Sequence, residues 1–130
     1  MILVDSSCWI EYFRPGGNPV IQEQMRAWLA ADEVATCGPV VAEVLRGVRK
    51  PDLKRVRRLF SALHYLESTD QDWRVVTDQA RALADRGENP PLLDILIAAI
   101  AERCGAALAH ADGHFTLIAD VMPLSERSFL

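Results

Sequence analysis

The chain begins with the apolar run Ile2-Leu3-Val4, which leads directly into Asp5-Ser6-Ser7. Three consecutive apolar residues with no polar alternation predict a short strand buried on both faces, as in a parallel sheet. Ser6 or Ser7 is suited to cap a following helix over 8–13, and the run Pro15-Gly16-Gly17-Asn18 predicts its end. A strand that passes directly into a helix indicates an α/β fold.

The rest of the chain alternates helical patterns with short apolar runs. Helices are predicted to begin at Pro19, Pro39, Pro51 and Thr69, because apolar residues recur at helical spacing after each of these positions. Further strands are predicted at 33–37, 65–66, 106–109 and 121–124. Short strands separated by helices predict a short parallel sheet covered on both faces, in a three-layer α/β/α arrangement.

Residues 92–104 form the most apolar segment of the chain, and the segment stays apolar nearly all round until Glu102-Arg103. This composition predicts a central, buried helix. Asp94 lies near its start, and burying an unpaired carboxylate costs on the order of several kcal/mol. Its partner is either the first turn of its own helix, which an aspartate can cap, or a shared site with other charged groups.

Three further acids have the same double interpretation. Asp5 and Asp112 each follow a predicted strand, at the sheet edge where α/β folds place their sites. Asp5 is equally suited to cap a helix, and Asp112 to form an ordinary turn before Gly113. Glu43 neighbours the valine stripe of the predicted third helix. Gly47, four residues later on the same face, leaves open space beside it.

The bulk composition excludes some classes of protein. A chain of 130 residues, half of them hydrophobic, suits one packed domain. The net charge of -4 argues against a protein that coats nucleic acid with its whole surface, although a local basic patch is compatible with it. The three cysteines form no metal or disulfide pattern, so we expect reduced, mostly buried thiols. With no signal peptide and no membrane span predicted, we expect a soluble cytoplasmic protein.

Four segments together resemble the PIN-domain nucleases, specifically the VapC-type toxins of bacterial toxin–antitoxin pairs. These segments are Ile2-Leu3-Val4-Asp5-Ser6-Ser7, Glu43-Val44-Leu45-Arg46-Gly47, Leu93-Asp94-Ile95-Leu96-Ile97-Ala98-Ala99 and His110-Ala111-Asp112-Gly113-His114-Phe115. The resemblance spans the whole chain and implies a single PIN domain over 1–130. It departs from the family pattern at His110, where many relatives carry Thr or Ser before the last acid.

The resemblance implies a magnesium-dependent endoribonuclease, the toxin of a type II system. The family's catalytic quartet corresponds to Asp5, Glu43, Asp94 and Asp112, with Asp5 and Asp94 holding the principal ion and Ser6 orienting a ligand or a water. Clustered carboxylates raise one another's pKa unless a cation neutralises them. Oxygen ligands without a His or Cys cluster suit Mg²⁺ or Mn²⁺ better than Zn²⁺.

The resemblance also implies partners, namely an RNA substrate, a VapB-type antitoxin and a second copy in a homodimer. In relatives the antitoxin often inserts an arginine among the acids, and the early helices form its groove. Trp9, Tyr12, Phe13 and Trp28 are interpreted as core, although an exposed aromatic patch there would support such a groove.

The basic and imidazole side chains near the acids allow two interpretations each. Arg46 and Arg49 closely follow Glu43 and are candidates for an RNA-binding strip, whereas the other basic residues of 50–58 are interpreted as a solvated helix face. His110 and His114 flank Asp112; packing or surface roles are favoured over a general acid.

Three other functions are compatible with parts of this pattern. A degenerate PIN domain that binds RNA without cutting it would not need all four acids. A phosphotransfer enzyme with Asp5 as nucleophile would need a second aspartate two positions on, where Ser7 stands. Cleavage of DNA or flap structures remains open, although the chain is short for the DNA-binding elements of such enzymes.

Overall fold

Five short strands form the centre of the molecule. The computed structural model describes residues 1–130, and its strands are β1 (Ile2–Val4), β2 (Val34–Thr36), β3 (His64–Tyr65), β4 (Ala107–His110) and β5 (Glu126–Ser128). They lie in the order β3-β2-β1-β4-β5, and every pairing is parallel. β1 is central, and Leu3 and Val4 are fully buried, as the unbroken apolar run predicts.

Helices connect the strands and cover the sheet, which confirms the three-layer α/β/α prediction. They are α1 (Ser6–Phe13), α2 (Pro19–Ala30), α3 (Gly38–Gly47), α4 (Leu53–Ser61), α5 (Asp70–Asp85), α6 (Leu92–Arg103) and α7 (His114–Ala119). A single 3-10 turn, Lys50–Asp52, precedes α4. None of the helices combines the length and the apolar character needed to cross a bilayer.

The helix starts follow the capping residues in the sequence. Asn18 accepts hydrogen bonds from the backbone N–H groups of Val20 and Ile21, directly before Pro19 at the first position of α2. α5 begins with the reciprocal pair that the sequence suggests, in which Thr69 and Asp72 each bond the other's backbone N–H.

The helix α6 is the central helix that its composition predicts. Every residue from Asp94 to Ala101 is buried, and the apolar members other than Ala99 belong to the main core cluster. Because the whole circumference of α6 is enclosed, Asp94 enters the interior with it. The helix therefore fixes one carboxylate at a depth where water cannot fully solvate it.

Several of the boundaries predicted from sequence are wrong, among them the start of α4, which is Leu53 and not Pro51 because Lys50–Asp52 form a 3-10 turn. The prediction of a strand over 121–124 fails, because the chain forms a turn and an irregular segment there, after α7 has ended at Ala119, and the last strand is β5. Edge strand β5 is exposed and carries Glu126 and Arg127, so no apolar run marks it in the sequence. β3 and β4 are each displaced by one residue from their predicted ranges, toward the N-terminus and the C-terminus respectively. α1 begins at Ser6, two residues early, because its cap is Asp5 rather than a serine.

Candidate metal centre

Asp5 joins β1 to α1 and caps the helix, which is one of its two predicted roles. Its Oδ2 accepts hydrogen bonds from the Ser7 backbone N–H at 3.0 Å and from Ser7 Oγ at 2.6 Å. Only 2% of Asp5 is exposed, yet its Oδ1 is buried with no hydrogen-bond partner. An unpartnered buried carboxylate oxygen is costly, so this atom is available for a ligand.

Ser7 connects the carboxylate of Asp5 to the neighbouring strand. Its Oγ accepts the backbone N–H of Ala111, immediately after β4, at 3.0 Å, while donating its own hydrogen to Asp5. The same hydroxyl therefore fixes the side chain of the first acid and the loop that carries Asp112. Sequence reasoning assigned the hydroxyl role to Ser6 alone and missed this second contact.

Glu43 reaches the site from α3. Ser6 Oγ donates a hydrogen bond to Glu43 Oε2 at 2.8 Å, across 37 positions of the sequence. Ser6 lies at the first position of α1, so Asp5 and Glu43 are held by consecutive serines on one helix. The contact brings the hydroxyl of Ser6 to one of the four acids, while its orientation of a ligand or a water stays a prediction.

The third and fourth acids meet through a histidine. Asp94, which is 7% exposed, places its Oδ2 3.0 Å from His114 Nδ1. The same ring nitrogen lies 3.3 Å from Asp112 Oδ1, and that oxygen also accepts the His114 backbone N–H at 2.9 Å. Potential ligand atoms of Asp94, Asp112 and His114 all lie within 4.8 Å of one another.

The negative charges of the four acids act on one another, although the ligand atoms within 4.8 Å of one another belong to Asp94, Asp112 and His114 and not to Asp5 or Glu43. The pKa of Asp94 is raised from 3.8 to about 6, chiefly by burial and next by the negative charge of Asp5, with smaller contributions from Asp112 and Glu43. Burial also raises the pKa of Asp5, with a further contribution from Glu43, against the opposing hydrogen bonds of Ser7. These side chains therefore destabilise one another's charged forms in the absence of a cation.

A cleft of about 690 Å³ opens over this cluster. Its polar lining consists of Glu43, Arg46, Asp94, Asp112 and His114, and Leu92 and Leu93 lie on its wall. Asp5 is absent from the lining because it lies deeper, behind the residues that face the cleft. The cleft is thus an open pocket with negative charge at its base.

The two candidate RNA-binding arginines lie in different depressions. Arg46 lines the cleft together with the acids, whereas Arg49 lines a second groove of about 580 Å³. Glu43 borders both depressions, so they adjoin. The structure therefore assigns the two residues different surroundings instead of one continuous strip.

The second groove is apolar at its base and basic at its rim. It is lined by Ile10, Phe13, Arg14, Pro15, Glu43, Val44, Gly47, Val48, Arg49, Asp52, Arg55 and Val56. The early aromatic residues do not form an exposed patch: Trp9 and Trp28 are buried, and Tyr12 and Phe13 are half-buried. The exposed apolar residue here is Ile10, which is 55% accessible.

The two histidines beside Asp112 have different roles. His110 is fully buried; its Nε2 lies 2.8 Å from Glu126, and its Nδ1 lies 3.3 Å from the Asp112 nitrogen, so the ring packs beneath the loop. Of the packing and surface roles favoured for the two histidines, His110 has the first, whereas the half-exposed ring of His114 lies at the surface and contacts two acids. The sequence signal that could have found this role is the position of His114, two residues after Asp112.

The side chains present fit a hard divalent cation. The cluster supplies carboxylate oxygens, one of which is buried and unpartnered, and its mutual repulsion would be relieved by positive charge. Burial raises the pKa of Cys8 and Cys37 to about 12, which disfavours the thiolate form of both side chains.

Comparison with known proteins agrees with this architecture. The PIN-domain family profile matches residues 2–121. Ribonuclease VapC11 of Mycobacterium tuberculosis is 36% identical over 134 residues, and the match covers 99% of each chain. VapC ribonuclease Mb1587 of Mycobacterium bovis matches with the same identity and coverage.

Among solved structures, FitAB bound to a DNA fragment superposes with a TM-score of 0.79 at 19% identity, covering 98% of this chain and 94% of that one. The VapBC2 complex of Rickettsia felis, bound to promoter DNA, gives 0.77 at 15% identity with both chains fully covered. The chain therefore belongs to the PIN-domain family, and its full-length relatives are VapC ribonucleases.

Proposed function

We propose that this chain is a divalent-metal-dependent endoribonuclease and the toxin of a type II toxin–antitoxin pair. The names of its full-length relatives support the reaction class. The observation that carries the metal site is the buried, unpartnered Oδ1 of Asp5 within a cluster of mutually repelling acids. The catalytic residues are Asp5, Glu43, Asp94 and Asp112, and the cofactor is Mg²⁺, with Mn²⁺ as an alternative.

The role of each acid follows from how deeply it is buried. Asp5 and Asp94, the two buried acids, hold the principal ion, while Glu43 and Asp112 complete the site from its rim. Ser6 keeps Glu43 in place through the 2.8 Å hydrogen bond. When bound, the cation supplies the positive charge that lets an acidic site accept a phosphodiester, and it lowers the pKa of a water near the phosphorus.

Arg46 is the side chain best placed to hold the RNA backbone, because it lines the cleft with the acids whereas Arg49 does not. Reversing the charge with Arg46→Glu is expected to lower kcat/KM by about tenfold. The slope of log kcat/KM against log salt concentration should become shallower by about one unit, which corresponds to one phosphate contact. Arg49→Glu is expected to have a smaller effect.

The measurement is the initial rate of RNA cleavage at subsaturating RNA over a range of salt concentrations. Arg57→Glu, an exposed charge reversal on α4, serves as the matched control. If Arg46→Glu and Arg57→Glu gave the same salt slope, the assignment of Arg46 to the RNA backbone would be wrong.

The proposed protein partner is a VapB-type antitoxin that occupies the second groove. This groove offers apolar surface from Ile10 and Phe13, carries arginines at its rim and meets the active-site cleft at Glu43. An antitoxin segment lying along it would lead directly to the acids. The resemblance further supports a homodimer as the default assembly.

The function is tested by incubating purified protein with single-stranded RNA in the presence of Mg²⁺ or Mn²⁺. Internal cleavage is expected with either ion, with none in excess EDTA and recovery when the ion is restored. RNA binding without cleavage would indicate the degenerate PIN domain instead. Cleavage of matched single-stranded DNA at an equal rate would contradict the specificity for RNA.

A further inference from the structure

The possible ligand atoms around the cleft include one nitrogen, Nδ1 of His114, besides the carboxylate oxygens of the four acids. His114 begins α7, and its backbone N–H is bonded to Asp112 Oδ1 at 2.9 Å. This contact fixes the start of the helix, so the ring is held next to both Asp94 and Asp112. Since 46% of the His114 side chain is exposed, burial in the core does not account for its position.

The distances among these atoms match those between neighbouring ligands of one ion. His114 Nδ1 lies 3.0 Å from Asp94 Oδ2 and 3.3 Å from Asp112 Oδ1. Two donors bound at about 2.1 Å in adjacent octahedral positions lie about 3 Å apart. One ring nitrogen faces two carboxylates at this separation, as three ligands of a shared ion would.

A hydrogen bond between His114 and Asp94 does not by itself complete the site. Asp5, which is 2% exposed, retains an oxygen with no partner, and its negative charge acts on Asp94. The imidazole therefore leaves part of the buried charge uncompensated. A cation bound beside Asp94 and the ring would offset part of this remaining negative charge.

We infer that His114 Nδ1 is a direct ligand of the divalent cation, alongside Asp94 and Asp112. This inference rests on the proposed metal-dependent function and alters the donor set from all-oxygen to mixed oxygen and nitrogen. Imidazole nitrogen binds first-row transition ions better than it binds Mg²⁺. The site should consequently favour Mn²⁺ over Mg²⁺ by a margin that depends on His114.

The first test is pulsed electron paramagnetic resonance of the Mn²⁺-loaded protein, which detects hyperfine coupling from a bound nitrogen. Wild-type protein is expected to show ¹⁴N coupling, and histidine-selective ¹⁵N labelling should convert it to ¹⁵N coupling without any substitution. His114→Gln should lose the signal. His64→Gln is the control, because His64 lies elsewhere, with its Nε2 2.9 Å from the Asp32 carbonyl oxygen.

A second test compares ion affinities by isothermal titration calorimetry. His114→Gln is expected to weaken Mn²⁺ binding by about tenfold or more and Mg²⁺ binding by clearly less. Mn²⁺ binding without histidine coupling, or coupling that persists in His114→Gln, would overturn the inference and leave the metal-dependent nuclease standing. If Mn²⁺ and Mg²⁺ both failed to bind the wild-type protein, the proposed function would fail as well.

Discussion

Asp94→Asn is expected to reduce RNA cleavage by about a thousandfold while preserving the fold. The substitution keeps the shape of the side chain but removes one negative charge and one strong oxygen ligand from the buried side of the cleft. A bound cation supplies several kcal/mol of transition-state stabilisation, and each 1.4 kcal/mol corresponds to about a factor of ten in rate. Loss of the ion therefore leaves little of the activity.

The comparison requires variants that separate catalysis from folding. Asp78→Asn, at an exposed position of α5, is the matched control and should cleave RNA at the wild-type rate. Asp5→Asn should be as inactive as Asp94→Asn, although asparagine can still cap α1. Circular dichroism verifies that each variant is folded, and initial cleavage rates with Mg²⁺ provide the measurement. Activity of Asp94→Asn within tenfold of the wild type would remove Asp94 from the metal site.

The parts of the fold that sequence predicts well are those whose burial leaves a pattern. β1 and the stretch of α6 from Ile95 to Ala101 are buried, so their residues are all apolar and easy to identify. β5 is exposed at the sheet edge and pairs only with β4, so its polar residues give no strand signal. The six-residue α7 is too short to show a helical period, and its apolar residues resemble those of a strand.

The location of the acids follows from topology, but their contacts do not. A parallel sheet brings the residues after β1 and β4 to the same edge, which is enough to expect Asp5 and Asp112 to be neighbours. Which hydroxyl or ring completes the site depends on loop geometry within a few ångströms. Ser7 has its role because its hydroxyl donates a hydrogen bond to Asp5, the cap of α1. His114 has its role because it begins a helix directly after the turn at Asp112. No periodicity encodes either position.

The metal-free protein is expected to lose stability as the pH rises from about 4 to 7. In the folded state the pKa of Asp94 is about 6, against an ordinary value of 3.8. Between these values the folded protein holds a proton that the unfolded chain has released, so rising pH favours unfolding until Asp94 is ionised in both states. The shift corresponds to roughly 3 kcal/mol, and Asp5, whose pKa is also raised, acts in the same direction.

A divalent cation should reverse this loss, because it binds the ionised carboxylates of the folded state alone. Its stabilisation is expected to be about 3 kcal/mol at a hundred times its dissociation constant at pH 7.5, and to shrink toward pH 5 as protons compete for the same oxygens. Urea unfolding in EDTA and in Mg²⁺ at several pH values gives both curves. The pKa of Asp72 is lowered, through contacts that include Arg103, so its titration affects stability in the opposite direction. The measurements therefore stay above pH 4.5, where Asp72 is ionised.

The variant Asp94→Asn tests whether Asp94 is the origin of the pH-dependent loss of stability. With no charge to titrate at this position, the variant should be more stable than the wild type in EDTA at pH 7.5, should vary less with pH and should gain little from Mg²⁺. Asp78→Asn should retain the wild-type response in all three respects. A residue whose removal stabilises the protein and abolishes its activity is retained for function at the expense of stability. If Asp94→Asn destabilised the metal-free protein instead, Asp94 would be a structural cap of α6, and the metal site would have to be formed without it.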